Sequence, residues 1–231
     1  MREERIGDCR LILGDCREML SELPATAVIV SDPPYGIAFK KGAGGKGRHN
    51  RRNLDAIAGD AEPFDPLPLL DWPCLLFGAN HYAQRLPIGG TFHAWDKSLG
   101  IGPDDSFADV EFIWTSWKCK SIVIRHLWKG VLRDSEAGTL HRKFHVSQKP
   151  VLIMLKCIHM APTGPIADPY MGSGSTGVAA VKLGRPFIGV EIDPGHFATA
   201  CRRIEAVYRE PRLALSEPVE RPQQLTLMEA A

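Results

Sequence analysis

Val28-Ile29-Val30-Ser31-Asp32-Pro33-Pro34-Tyr35 is the stretch on which the fold turns. Three consecutive β-branched residues read as a buried strand covered on both faces, the kind found inside an α/β sheet. Two prolines then end it. Each fixes its own φ and keeps the residue before it out of the helical region, so Asp32, Pro33, Pro34 and Tyr35 follow a nearly rigid extended path. The run therefore delivers a carboxylate and an aromatic ring to the carboxyl end of a strand, the edge where open α/β sheets bind ligands. A strand followed by an ordinary proline turn is the plainer reading of the same residues.

Working outward, Pro165-Ile166-Ala167-Asp168-Pro169-Tyr170-Met171-Gly172-Ser173-Gly174-Ser175-Thr176-Gly177 repeats the logic. A strand enters, glycines let the backbone approach a ligand, and an Ala/Val-rich helix follows, to about Leu183. Gly172, Gly174 and Gly177 satisfy G-x-G-x-x-G, so a dinucleotide-binding loop competes with other nucleotide-like ligands. Pro186 to Ile192 reads as the next strand and ends in Glu191, placed for ribose hydroxyls. Asp193 is placed to cap the helix that follows, from about Gly195 to Tyr208. Upstream, Cys9 to Leu13 reads as a strand, Gly14-Asp15 as its end and Arg17 to Leu23 as a helix. Asp15 serves equally well as a helix cap or as a ligand-bonding acid.

Asp-Pro-Pro-Tyr at 32–35 resembles the catalytic motif of the DNA amino-methyltransferases, which methylate adenine N6 or cytosine N4. Asp168-Pro169-Tyr170-Met171-Gly172-Ser173-Gly174 resembles their Asp-Pro-Phe-x-Gly-Ser-Gly loop, with Tyr170 in place of Phe. Gln148-Lys149-Pro150 before a helix at Val151 to Met160, and Gly189-Val190-Glu191-Ile192-Asp193, match further parts of the pattern. The motif order resembles the β class, a circular permutation, over residues 9 to about 208. The resemblance implies a Rossmann-like methyltransferase fold, a mostly parallel sheet with helices on both faces, and S-adenosylmethionine as cofactor. It implies Asp32, Pro33, Pro34 and Tyr35 as catalytic residues. Asp15, Lys149, Asp168, Tyr170, Gly172, Ser173, Gly174 and Glu191 become the cofactor-binding set. Adenine N6 is the preferred target, because Asp at the first motif position is commoner for it than Ser, and cytosine N4 is the alternative. An RNA or protein methyltransferase, or a silent DNA-binding relative, are the other classes; the glutamine-methylating relatives carry Asn where Asp32 stands.

The chain has 231 residues and a net charge of +1, 44% of them hydrophobic. That suits one α/β domain over residues 1–210 with a flexible tail at 211–231. Net charge is uninformative, but its distribution is not. Residues 36–60 and 116–149 hold fourteen of the 28 Lys and Arg but four of the 27 Asp and Glu. That asymmetry predicts a basic face for double-stranded DNA. Lys40, Lys41, Lys46, Arg48, Arg51 and Arg52 lie in a Gly-rich stretch read as a mobile basic loop at 36–60, whose glycines lack the flanking strand and helix of a dinucleotide site. Residues 116–148, with Arg142, Lys143, His141 and His145, read as a short DNA-recognition region.

Residues 73–78, Gly90–Trp95, Asp109–Thr115 and Ser121–Trp128 read as further strands, the third near an edge, and a helix is expected from Ala79-Asn80 to about Leu86. Trp95, Trp114, Trp117 and Trp128 read as packing residues. The six scattered cysteines form no C-x-x-C and point to neither zinc nor disulfides, hence to a reducing, cytoplasmic setting without metal. No apolar run approaches a membrane span. Further partner expectations are a homodimer and, through Gln224-Leu225-Thr226-Leu227-Met228, a sliding clamp.

Overall fold

A computed structural model describes residues 2–37, 60–101, 108–129, the backbone of 132–133, and 148–209. It holds a nine-stranded sheet built from β1 (Arg2–Ile6), β2 (Cys9–Leu13), β3 (Val28–Ser31), β4 (Cys74–Phe77), β5 (Thr91–Asp96), β6 (Val110–Thr115), β7 (Val123–Arg125), β10 (Ile166–Asp168) and β11 (Phe187–Glu191). Trp128–Lys129 and Leu132–Arg133 (β8 and β9) pair separately as a two-stranded ribbon. The spatial order is β1-β2-β11-β10-β3-β4-β6-β5-β7. Strands β2, β11, β10, β3 and β4 run parallel, and β1 and β6 are antiparallel to their neighbours.

Burial on both faces explains the unbroken apolar run of β3. Val28 and Val30 pack toward α2 (Val151–Met160), α3 (Ser175–Lys182) and α4 (Pro194–Arg209), with Ile153, Val178, Phe197 and Ile204 among their cluster. Ile29 points the other way, into a cluster with Phe64, Leu69, Leu76, Tyr82 and Trp114. The long helices thus cover one face. The other is covered by α1 (Cys16–Met19) and single 3₁₀ turns. Connections lead to opposite sides from the β10-β3 boundary, so the reversal of strand order falls between the strands that end in Asp168 and in Ser31-Asp32.

Several local readings change. The helix expected at 17–23 is the one-turn α1 continued by a 3₁₀ turn at Leu20–Glu22. The helix expected at 79–86 is two 3₁₀ turns, Ala79–His81 and Ala83–Arg85, broken at Tyr82 (φ −134°). The Tyr82 hydroxyl donates to the Phe77 carbonyl at 2.5 Å, which holds the chain against β4 and stops a helix from propagating. β6 lies inside the sheet between β4 and β5; its half-exposed look comes from one uncovered face, where Val110 and Phe112 are exposed. Only Val123–Arg125 of the run 121–128 joins the sheet, at its far edge. β1 was not legible, because Arg2, Glu3, Glu4 and Arg5 carry charges suited to an edge strand. Trp95 and Trp114 are fully buried, and Trp117 and Trp128 pack on the core as expected.

Candidate active site

The carboxyl ends of the parallel strands gather Gly14-Asp15, Glu191, Asp168, Asp32 and Gly78 along one edge. Because β6 runs antiparallel, its first residues, not its last, reach the same edge, and they bring Glu111. β5 ends there with Lys97 following.

Asp32 sits at the centre of a buried polar cluster. Its Oδ2 accepts from Lys149 Nζ at 2.5 Å, and its Oδ1 lies 2.5 Å from the Tyr35 hydroxyl. That hydroxyl is also 2.9 Å from Glu111 Oε1, and Lys149 Nζ is 3.0 Å from the same oxygen. Lys97 Nζ approaches Glu111 Oε2 at 3.5 Å. Lys149 is placed by Pro150, which caps α2 in the extended conformation (φ −64°, ψ 137°) and turns the preceding residue back over the sheet edge.

Burial pushes the Asp32 carboxyl up, Lys149 opposes that, and the Glu111 charge adds to it. Burial would raise Glu111 too, but Lys149 and Lys97 outweigh it and hold that carboxyl down. Burial drives the Tyr35 hydroxyl far above its usual range, helped by both carboxylates. For Lys149 burial is outweighed by Asp32 and Glu111, so the ammonium is reinforced.

The Tyr35 ring stacks on His81 with centroids 5.0 Å apart and packs on the turn after β4. That turn requires glycine twice over: Gly78 has φ +66°, and a Cβ there would lie 2.1 Å from Tyr35 Cε1. Asp60 Oδ1 accepts from the amides of Gly36 (2.8 Å) and Ile37 (3.3 Å), which ties the chain just after the motif to residue 60.

Beside this cluster stands the glycine turn between β10 and α3. The buried Asp168 carboxylate accepts from Ser31 Oγ and Thr176 Oγ1, both at 2.6 Å, and from the Tyr170 amide at 3.1 Å. It therefore joins the last residue of β3 to the turn and to the first turn of α3. Burial raises its pKa to about 6 against those hydrogen bonds. Glu191 accepts from the Gly172 amide and the Asp193 amide, each at 2.8 Å, and burial pushes it up as well. Gly174, with φ +81°, caps α3, and a Cβ there would press on Ala200 of α4 at 2.9 Å. Above Gly172 nothing lies within 4 Å of where a Cβ would be, so the turn faces open space. Arg203 of α4 braces it, donating to the Ser173 carbonyl at 2.7 Å and to the hydroxyls of Ser173 and Ser175.

Of the expected residues, the structure brings Asp32 and Tyr35 together with Lys149, and groups Asp168, Tyr170, Gly172, Ser173, Gly174 and Glu191 around the turn. Tyr170 sets its ring edge against Phe64 at 5.9 Å. Asp15 caps α1 by accepting from the Arg17 amide at 2.9 Å and pairs with the Arg17 guanidinium. Lys149, expected on the cofactor side, contacts Asp32 and Glu111. Lys40, Lys41, Lys46, Arg48, Arg51, Arg52, Arg142 and Lys143 lie outside the described residues, as do His141, His145 and the tail. Glu111, Lys97, His81, Asp60 and Arg203 were missed. An acid in an otherwise apolar strand, Val110-Glu111-Phe112-Ile113-Trp114, was the one signal available for Glu111.

A family model described as DNA methylase matches residues 104–202, which include the Gln-Lys-Pro segment, the glycine turn and Glu191. The YubD protein of Escherichia coli K12, described as a methylase, is 28% identical over 87% of this chain and 92% of its own length. Over residues 104–202 the chain is thus similar to the N6-adenine/N4-cytosine DNA methylases. Among solved structures, that of the M1.HpyAVI–SAM complex aligns over 85% of this chain and 98% of its own chain, at 20% identity and TM-score 0.53. That of the cytosine-N4-specific PvuII DNA methyltransferase covers 88% and 92% at 14% identity and TM-score 0.54. At these identities the likeness is one of fold, and that fold is the Rossmann-like methyltransferase fold. The family model begins downstream of Asp32-Pro33-Pro34-Tyr35, so the order of that motif before the glycine turn is a property of the sequence itself.

Among the described residues no helix is long and apolar enough to cross a membrane. No group of three metal-ligating side chains is present among them either.

Proposed function

We propose that this protein transfers a methyl group from S-adenosylmethionine to the N6 amine of adenine in duplex DNA. The observation that carries the reading is the adjacency of Asp32-Pro33-Pro34-Tyr35 and the glycine turn, at the ends of the neighbouring strands β3 and β10 and tied by the Ser31–Asp168 hydrogen bond.

The glycine turn fits the cofactor. It has open space above Gly172, the amino end of α3 to favour a carboxylate, and the Glu191 carboxylate at the end of the next strand for ribose hydroxyls. Asp15, at the end of β2, is the acid for the adenine ring of the cofactor. When bound, the cofactor supplies the methyl group together with its own sulfonium leaving group.

The chain's residues then hold and polarise the nucleophile. An exocyclic amine conjugated with a base is a poor nucleophile, and acceptors on its hydrogens release the lone pair. The Asp32 carboxylate accepts one hydrogen and the Pro33 carbonyl the other. The Tyr35 ring, held by its stack on His81, is the aromatic surface offered to the base. A base in a duplex reaches such a site only by flipping out, and the basic segments around residues 36–60 and 116–148 take up the flanking phosphates. Cytosine N4 presents the same donor pattern and is the alternative target.

The test is transfer of labelled methyl from S-adenosylmethionine to unmethylated duplex DNA, with RNA and protein as parallel acceptors, using wild type and Asp32→Ala. Label in DNA from wild type alone supports the reading. Label confined to RNA or protein, or none despite measurable cofactor binding, refutes it.

A further inference from the structure

Once the amine takes a methyl group it must lose a proton, and the function proposed above, on which this inference rests, makes Asp32 the group beside it. We infer that Glu111 is a positioning residue that keeps Asp32 basic: the two form a carboxylate pair bridged by the Tyr35 hydroxyl, in which Glu111 carries the lasting negative charge and Asp32 takes the proton.

The geometry sets up this division. A phenol has one hydrogen, yet its oxygen lies 2.5 Å from Asp32 Oδ1 and 2.9 Å from Glu111 Oε1. Two carboxylates on one hydroxyl titrate as a pair, and the protons leave them at separated pH values. Their surroundings are unequal. Among the described residues Glu111 faces two ammonium groups, Lys149 at 3.0 Å and Lys97 at 3.5 Å, whereas Asp32 faces Lys149. Glu111 therefore keeps its charge, and that charge makes the neighbouring Asp32 the better proton acceptor.

The described groups facing the pair are Lys97 after β5, Lys149 before α2, Tyr35 after the β3 motif and, at the end of the neighbouring β10, the Asp168 carboxyl, which burial and to a lesser degree the Asp32 charge push up. Tyr82 and Cys157 lie further off. Burial drives both upward, so they stay neutral and leave the balance unchanged. His81 touches the pair only through its stack on the Tyr35 ring.

The step balances simply. The amine lone pair forms the N–CH₃ bond while the C–S bond breaks and its electron pair stays on sulfur. The N–H electron pair returns to nitrogen, and the proton goes to Asp32, which becomes a neutral acid. Lys149 and Glu111 keep their charges, and Asp32 later releases the proton to solvent.

Glu111→Gln removes the charge and keeps the shape. Loss of the like charge, together with Lys149 left to Asp32 alone, lowers the Asp32 titration by about one pH unit. Two readouts follow. In protein labelled with ¹³C at aspartate carboxyls and free of cofactor, the resonance lost in Asp32→Asn titrates lower in Glu111→Gln than in wild type. In methyl transfer, the acid limb of the rate profile moves down by a similar amount and the plateau falls about tenfold, with S-adenosylmethionine affinity within twofold of wild type.

Lys97→Met removes a cation from Glu111 without touching Asp32 and moves both readouts the opposite way. It decides the matter should Glu111→Gln not fold. An Asp32 midpoint that stays put in Glu111→Gln, or in Lys97→Met, overturns the inference whatever the transfer assay gives. A wild-type enzyme that methylates no DNA overturns the proposed function, while the carboxylate titration still tests the pairing.

Discussion

Lys149→Met is the perturbation that most severely tests the buried cluster. The lysine side chain is 10% exposed, and those of Asp32 and Glu111 are 18% and 13% exposed, so solvent screens the group weakly. Removing the ammonium leaves two carboxylates bridged by one hydroxyl. Contacts of 2.5 and 2.9 Å to that hydroxyl bound their separation at about 5 Å, which corresponds to about 3 kcal/mol of repulsion at an effective dielectric of about 20. Breaking one side of a buried ion pair generally costs about 3–5 kcal/mol, in agreement.

The pH dependence gives the sign. Without Lys149 both carboxyls have folded pKa values above their unfolded ones, so their contribution is most favourable at low pH and is lost as pH rises through the raised folded values. Urea unfolding at pH 4.5 and pH 8 checks this: the deficit of Lys149→Met against wild type is about 3 kcal/mol at pH 8 and falls to about 1 kcal/mol at pH 4.5. A deficit that is small at pH 8, or equal at both, would refute the picture of Lys149 as the counter-ion of a buried carboxylate pair.

Other substitutions probe the frame around that cluster. Gly78→Ala places a methyl 2.1 Å from the Tyr35 ring at φ +66°. It is expected to cost about 2–3 kcal/mol, read as a fall in thermal midpoint of several degrees, and to reduce methyl transfer while leaving cofactor affinity nearly unchanged. Asp168, raised to about 6 by burial, contributes stability that is present below its unfolded pKa near 4 and lost as pH rises through about 6. Wild type should therefore gain about 2–3 kcal/mol from this group between pH 7 and pH 4, and Asp168→Asn should lack that gain in chemical denaturation at the two pH values.

The legible parts of the molecule were those in which local chemistry and global position coincide. β3 and the β10–α3 turn announced themselves because a doubly covered parallel strand needs an apolar run, and because Gly174 and its neighbours must adopt a backbone that other residues resist. That β3 and β10 lie side by side, which brings the two strand ends together, came from the sheet order and not from the sequence.

Glu111 and Lys97 were hidden for the converse reason. Their place at the site depends on β6 running against β4, a pairing that no local spacing encodes. Lys149, expected on the cofactor side, contacts Asp32 and Glu111, and the direction in which Pro150 turns the chain is set by how α2 docks on the sheet. The 79–86 segment had helix-compatible composition, but the Tyr82 hydroxyl bond to Phe77 and the left-handed Gly78 serve the Tyr35 ring instead. Asp168 was expected on the cofactor, and among the described residues its carboxylate accepts from Ser31, Thr176 and the Tyr170 amide, beneath the turn.

The central claim is that Asp32 and the glycine turn form one site for methylating an exocyclic amine in DNA. Nucleoside mass spectrometry of duplex DNA incubated with S-adenosylmethionine and either wild type or Asp32→Ala tests it most directly. N6-methyladenine from wild type and none from the variant is the predicted result, and N4-methylcytosine in its place would keep the chemistry and correct the base. DNA without any methylated exocyclic nitrogen, from an enzyme that binds the cofactor, would contradict the account.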